Sequence, residues 1–61
     1  MTALEALRQY GPQSATHLLW RLGDVLREEL YAELVAAEAA GLARVVVHHA
    51  GDDRWCEWEA C

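Results

Sequence analysis

The chain has 61 residues, enough for one domain and close to the lower limit for folding without disulfides or metals. Hydrophobic residues make up 54% of it, which excludes a disordered tail, and no apolar run approaches the roughly 18 residues of a membrane span. Ten acidic residues stand against five arginines and no lysine, for a formal charge of −5. That balance disfavours nucleic acid, whose binding draws on Lys and Arg neutralising phosphates.

Thr2-Ala-Leu-Glu5 has the spacing of a capping box and opens a first helix. Leu4 and Leu7 share one face with Ala3 beside them, and Gly11-Pro12 ends the helix, because Gly suits the C′ position and Pro cannot extend the ladder. Glu5 falls where a secretory leader would need its apolar stretch, so a cytoplasmic setting is expected. Ser14 is the natural N-cap of a second helix, with Ala15, Leu18, Leu19 and Leu22 at helical spacing as its buried stripe. Gly23 closes that helix and Asp24 is placed to cap a third, over Val25 to Ala40.

In the third helix Leu26, Leu30, Leu34 and Ala37 fall on one stripe, expected to cover the first two helices, and the alanines favour the helical state. Val25, Ala32, Val35, Ala36 and Ala39 make a second apolar face roughly opposite. A helix apolar on two sides is either buried on both or open to a partner. Gly41-Leu42 supplies the C-cap and the apolar residue that usually follows it. Arg44 to His49 is rich in β-branched residues and reads as a strand. Ala50-Gly-Asp-Asp53 reads as a four-residue hairpin loop, and Arg54 to Trp58 as the returning strand, with Cys56 and Trp58 facing inward and Trp55 half-exposed among acids.

The order of helix, helix, helix and hairpin predicts an α+β domain spanning residues 1–61. Its expected core is Leu4, Leu7, Leu18, Leu19, Leu22, Leu30, Leu34 and one tryptophan of the hairpin. On three stretches, Ser14-Ala-Thr-His-Leu-Leu-Trp-Arg-Leu-Gly23, Glu38-Ala-Ala-Gly-Leu42 and Val45 to Trp58, the chain resembles the winged helix-turn-helix superfamily of small prokaryotic regulators. The resemblance implies a three-helix core with a β-wing and a role in transcriptional control, with helix 3 as the recognition helix. A narrower likeness, in length and element order, is to FeoC-type winged-helix proteins accessory to ferrous iron transport. That family carries several closely spaced cysteines in its wing, whereas this chain has only Cys56 and Cys61, neither of them in the wing loop, and an iron–sulfur cluster normally takes four thiolates.

The resemblance puts Arg27, Glu28, Tyr31, Ala32 and Val35 on the outward face of helix 3. Readers of DNA usually carry Ser, Thr, Arg, Lys, Asn or Gln there, since these reach phosphates and base edges. Here one arginine and one glutamate border an apolar patch, and Asp52 and Asp53 occupy the wing tip. Trp20 lies off the Leu stripe of helix 2, where it either packs on the first helix or the wing, or serves as an interface anchor as exposed tryptophans often do. Trp55 is its counterpart on the wing. These seven residues form the candidate partner-binding set.

His48 and His49 are adjacent on a strand and face opposite ways, so at most one of them can join Cys56 in a two-ligand pair, short of the four ligands of structural zinc. No metal or cofactor is expected. Ser14 is better used as a cap than as a nucleophile, Glu28 and Glu29 diverge on the helix surface, and no Gly-rich phosphate loop is present. The expected function is therefore that of a non-enzymatic regulatory module, an adaptor, inhibitor or dimerising regulator that binds a protein partner. The alternative is a DNA-binding transcriptional regulator acting through helix 3 and the wing. Neither a membrane nor a small-molecule substrate is expected as a ligand.

Overall fold

A computed structural model describes residues Met1–Cys61. Three helices, α1 (Ala3–Tyr10), α2 (Ala15–Leu22) and α3 (Arg27–Ala39), are followed by strands β1 (Ala43–Ala50) and β2 (Asp53–Ala60), paired antiparallel. The architecture is α+β, with an outline compatible with a winged helix. No helix is long and apolar enough to cross a membrane.

Local chemistry sets most of the boundaries. The Thr2 hydroxyl accepts from the Glu5 N–H while the Glu5 carboxylate reaches back to the Thr2 N–H, completing the capping box that satisfies donors the helix itself leaves open. The Ser14 hydroxyl accepts from the His17 N–H at 3.2 Å and starts α2. At the end of α3 the Leu42 N–H bonds the Ala37 carbonyl and the Gly41 N–H bonds the Glu38 carbonyl. This paired closure requires the left-handed backbone that Gly41 adopts at φ 76°.

The start of α3 departs from expectation. It begins at Arg27 with Leu26 as N-cap, and no side chain caps it. Asp24 instead sits in a turn, its N–H donating to the Leu22 carbonyl. Leu26 has extended backbone angles (φ −74°, ψ 147°), which swing its side chain away from the helical stripe, and it is 64% exposed. Val25 turns inward and packs on the core. The expected roles of these two residues are thus exchanged.

The hairpin is longer and its turn tighter than expected. Ala43 pairs with Ala60 and Ala50 with Asp53, leaving Gly51-Asp52 as a two-residue turn. Gly51 takes φ 62°, the positive angle that a II′ turn needs at its first central position and that suits the right-handed twist of the strands. A further pairing joins the sheet to the segment between α1 and α2. The Gln13 N–H donates to the Trp58 carbonyl and the Trp58 N–H to the Gln13 carbonyl, at 3.0 and 2.8 Å.

The core lies where α1, α2, α3 and the base of the hairpin meet. Leu7, Leu18, Leu30, Leu34 and Trp58 are buried with Ala3, Ala6, Ala15 and Ala43, while Leu4, Leu19 and Leu22 line its margin. Alanines let the helices and the sheet approach closely, and so supply the part of the core that a count of leucines misses. Cys56 shares the face of Trp58 but is exposed. The inward face of the hairpin is covered only at its base, and towards the turn both faces are wet.

Candidate functional site

On α3, burial is confined to one side. Leu30 and Leu34 are fully buried and Ala37 is partly buried. Arg27, Glu28, Tyr31, Ala32 and Val35 are all exposed, together with Ala36 and Ala39. Tyr31 at 40% and Val35 at 55% exposure stand on the half of the helix turned away from the Leu30/Leu34 stripe, as 100° per residue requires. The hairpin does not cover this face.

The first turn of α3 is acidic, with Glu28 and Glu29. Lacking a side-chain cap, the helix has its positive N-terminal dipole offset by these carboxylates instead. The same charges lie where a recognition helix would approach DNA phosphates.

Trp20 is 87% exposed and packs on neither the first helix nor the hairpin. It lines a shallow depression on α2 with His17 and Arg21. The depression's arginine is already engaged: the Arg21 Nε donates to the Gln13 Oε1 at 3.1 Å and its guanidinium lies 3.9 Å over the Tyr10 ring. Cation–π geometry of this kind orients the charge and lowers its availability to a ligand. Trp55, 45% exposed, stacks on His48 across the hairpin with ring centroids 5.4 Å apart. On the same face the His48 Nε2 lies 2.7 Å from the Glu57 Oε1, and Arg44 pairs with Glu59. His48 is therefore committed to Trp55 and Glu57, on the sheet face opposite Cys56, and Cys56 and Cys61 are free, exposed thiols.

The candidate residues thus occupy separate places: Glu28, Tyr31, Ala32 and Val35 on the side and back of α3, Arg27 at its exposed start above the leucine stripe, Trp20 on α2 and Trp55 on the hairpin. The arginines are likewise dispersed, over all three helices and both strands. Two residues that sequence reasoning passed over hold these parts together. Gln13, only 6% exposed, joins α1, α2 and β2 through its backbone and its side chain. Glu33 reaches across from α3 and accepts from the Ala3 N–H at 3.0 Å, capping α1 from another helix. A single bridging residue has no periodicity, and a cap supplied thirty residues away has no local spacing, so neither leaves a signature in the sequence.

Comparison with protein families, with characterised proteins and with solved structures returns no match.

Proposed function

We propose that the chain is a winged-helix regulatory module, without enzymatic activity, that docks a protein partner through the outer side of α3. One observation carries the reading: α3 completes its burial with Leu30 and Leu34 and still exposes Tyr31, Ala32, Val35, Ala36 and Ala39 on the other side. Exposed apolar side chains gathered on one face are a mark of interaction surfaces, and tyrosine and tryptophan are the residues that most often anchor them. In this reading Tyr31 and Val35 form the centre, Arg27 and Glu28 supply polar contacts at the rim, and Trp20 and Trp55 are anchors beyond it. The charge of −5, the acidic first turn of α3 and the acidic wing tip support a protein partner over a duplex.

The test is affinity capture from the native host with and without nuclease, comparing the parent chain with Val35→Glu. Val35 is half-exposed, so the variant is expected to keep its helical circular dichroism while losing the partner, and the parent's capture is expected to survive nuclease. Retention of the partner by the folded variant overturns the reading, as does capture that depends on nucleic acid.

A further inference from the structure

The two strands of the sheet differ in what borders them. β2 is hydrogen-bonded on both sides, to β1 along its length and to Gln13 at Trp58. β1 has β2 on one side and no strand on the other. Which of its backbone groups face outward follows from Trp58. Both the N–H and the C=O of Trp58 go to Gln13, away from β1, so the Val45–Trp58 pair is of the non-hydrogen-bonded kind. Antiparallel pairs alternate between the two kinds. Ala43, Val45, Val47 and His49 therefore direct their N–H and C=O groups away from β2; Ala43 is buried in the core, so the open edge consists of Val45, Val47 and His49. The bond from the Cys61 N–H to the Leu42 carbonyl has the same phase, with even-numbered residues of this strand facing β2.

Proteins usually protect such an edge with lysine, proline or a bulge. The strand Ala-Arg-Val-Val-Val-His-His-Ala has neither lysine nor proline, and its register against β2 runs unbroken from Ala43 to Ala50. Val45 and Val47, which flank the outward groups, are 37% and 50% exposed.

We propose that the free edge of β1 pairs antiparallel with β1 of a second copy of this chain, forming a continuous four-stranded sheet across a two-fold axis at Val47. Two features select a second copy. The first is hydrogen-bonding phase. About an axis at Val47, Val47 meets Val47 of the second copy and Val45 meets its His49, so all three open outward-facing residues meet outward-facing residues. An axis at Val46 sets His49 against the buried Ala43 and one at His48 sets Val45 against Gly51 of the turn, and a slip by one residue sets outward groups against inward ones. The second feature is charge. Asp53, Glu57 and Glu59 all lie on β2, while β1 carries no acid. Two chains of charge −5 can thus meet along β1 without opposing carboxylates directly. The contact places Val47 of the two copies side by side on one face, beside Cys56, with Val45 opposite His49, and sets Val46 opposite His48 on the other face. A strand-edge contact buries less than a standard interface, so the dimer is concentration-dependent. The surface lies on the wing, distinct from the outer side of α3, and the inference stands whether or not that helix docks a partner.

Sedimentation velocity over a concentration series is expected to show growth towards twice the 6.8 kDa chain mass. In a background with Cys56→Ser and Cys61→Ser, Val47→Cys is expected to form a disulfide-linked dimer under mild oxidation, because a hydrogen-bonded antiparallel pair brings Cα atoms to about 5.5 Å, within disulfide reach. Val35→Cys in the same background, reporting on α3, is expected not to. Val47→Pro removes an outward N–H without touching the ladder to β2 and is expected to give a folded monomer. Val47→Lys, which keeps the backbone intact and charges the edge, is expected to do the same and decides the matter if the proline variant unfolds. A parent chain that stays monomeric throughout the series overturns the inference. So does a dimer that survives in folded Val47→Lys, or one that cross-links at position 35 and not at 47.

Discussion

Replacing Leu30 with alanine probes the packing on which every surface described above depends. Leu30 is fully buried, and losing its outer carbons forfeits roughly 2 kcal/mol of transfer free energy at about 0.8 kcal/mol per methylene. A cavity term adds to this to the extent that the neighbours fail to close the gap. The cluster around Leu30 includes Ala3, Ala6, Ala15 and Ala43, whose side chains have no rotamers with which to refill it. The expected loss is therefore in the upper part of the usual Leu→Ala range, about 3–5 kcal/mol. At roughly 0.05–0.15 kcal/mol per residue, a chain of this length has only about 3–9 kcal/mol of stability in total, so the variant sits near or beyond its midpoint at room temperature. Leu26→Ala, one turn earlier on the helical wheel but exposed, is expected to cost less than about 0.5 kcal/mol. Urea titration followed by far-ultraviolet circular dichroism and by tryptophan fluorescence measures both, Trp58 being the buried reporter among the three tryptophans. A loss below about 1 kcal/mol for Leu30→Ala, or equal losses at the two positions, would show that the buried stripe of α3 is misassigned.

Glu33→Ala leaves the Ala3 N–H without its acceptor and is expected to destabilise by about 1–2 kcal/mol. Glu33→Gln should recover part of this, and thermal melts resolve the difference at roughly 4–8 °C per kcal/mol for a domain of this size. Gln13→Ala keeps the backbone bridge to Trp58 but removes the acceptor from Arg21, for an expected cost of about 1 kcal/mol, read in the same melts. Random duplex DNA is expected to bind weakly at physiological salt, and tight, salt-sensitive retardation in a gel-shift titration would contradict the charge argument.

The order of elements was legible because each helix carries its own start and stop. Thr2 and Glu5, Ser14, and the Gly41-Leu42 closure act within a few residues of where they stand, and the structure places the helix ends there. The start of α3 was misjudged because Asp24 has the composition of a cap without its geometry. Once the chain turns after Leu22, the core accepts Val25, and Leu26 is left as an extended N-cap facing solvent. The hairpin was under-extended for a related reason. Ala43, Asp53 and Ala60 have weak strand propensity, and pairing between the strands overrides it. Cys56 was expected inside because alternation fixes which face a residue is on. It does not fix whether anything lies above that face, and the helices end before Cys56 is reached. On α3 the period fixes which side lies opposite the leucine stripe but not whether anything covers it. The exposure of Val35 was thus no more legible than that of Trp20, a bulky aromatic beside a leucine stripe being compatible with either fate.

Glu28 shows how one residue's structural role bears on function. An uncapped helix N-terminus attracts negative charge, and a phosphate of DNA can meet that demand as readily as a carboxylate. In α3 the demand is met from within, by Glu28 and Glu29, so a phosphate approaching this end finds the dipole already compensated and two like charges beside it. The wing adds Asp52 and Asp53 at its exposed tip, and Arg44, the arginine of the strand with the open edge, is paired with Glu59. Each of these arrangements lowers the attraction for a polyanion, and none of them removes apolar surface from the outer side of α3 or donors and acceptors from the edge of β1. What this chain leaves open is apolar side chain and unpaired backbone, the two features through which proteins recognise proteins.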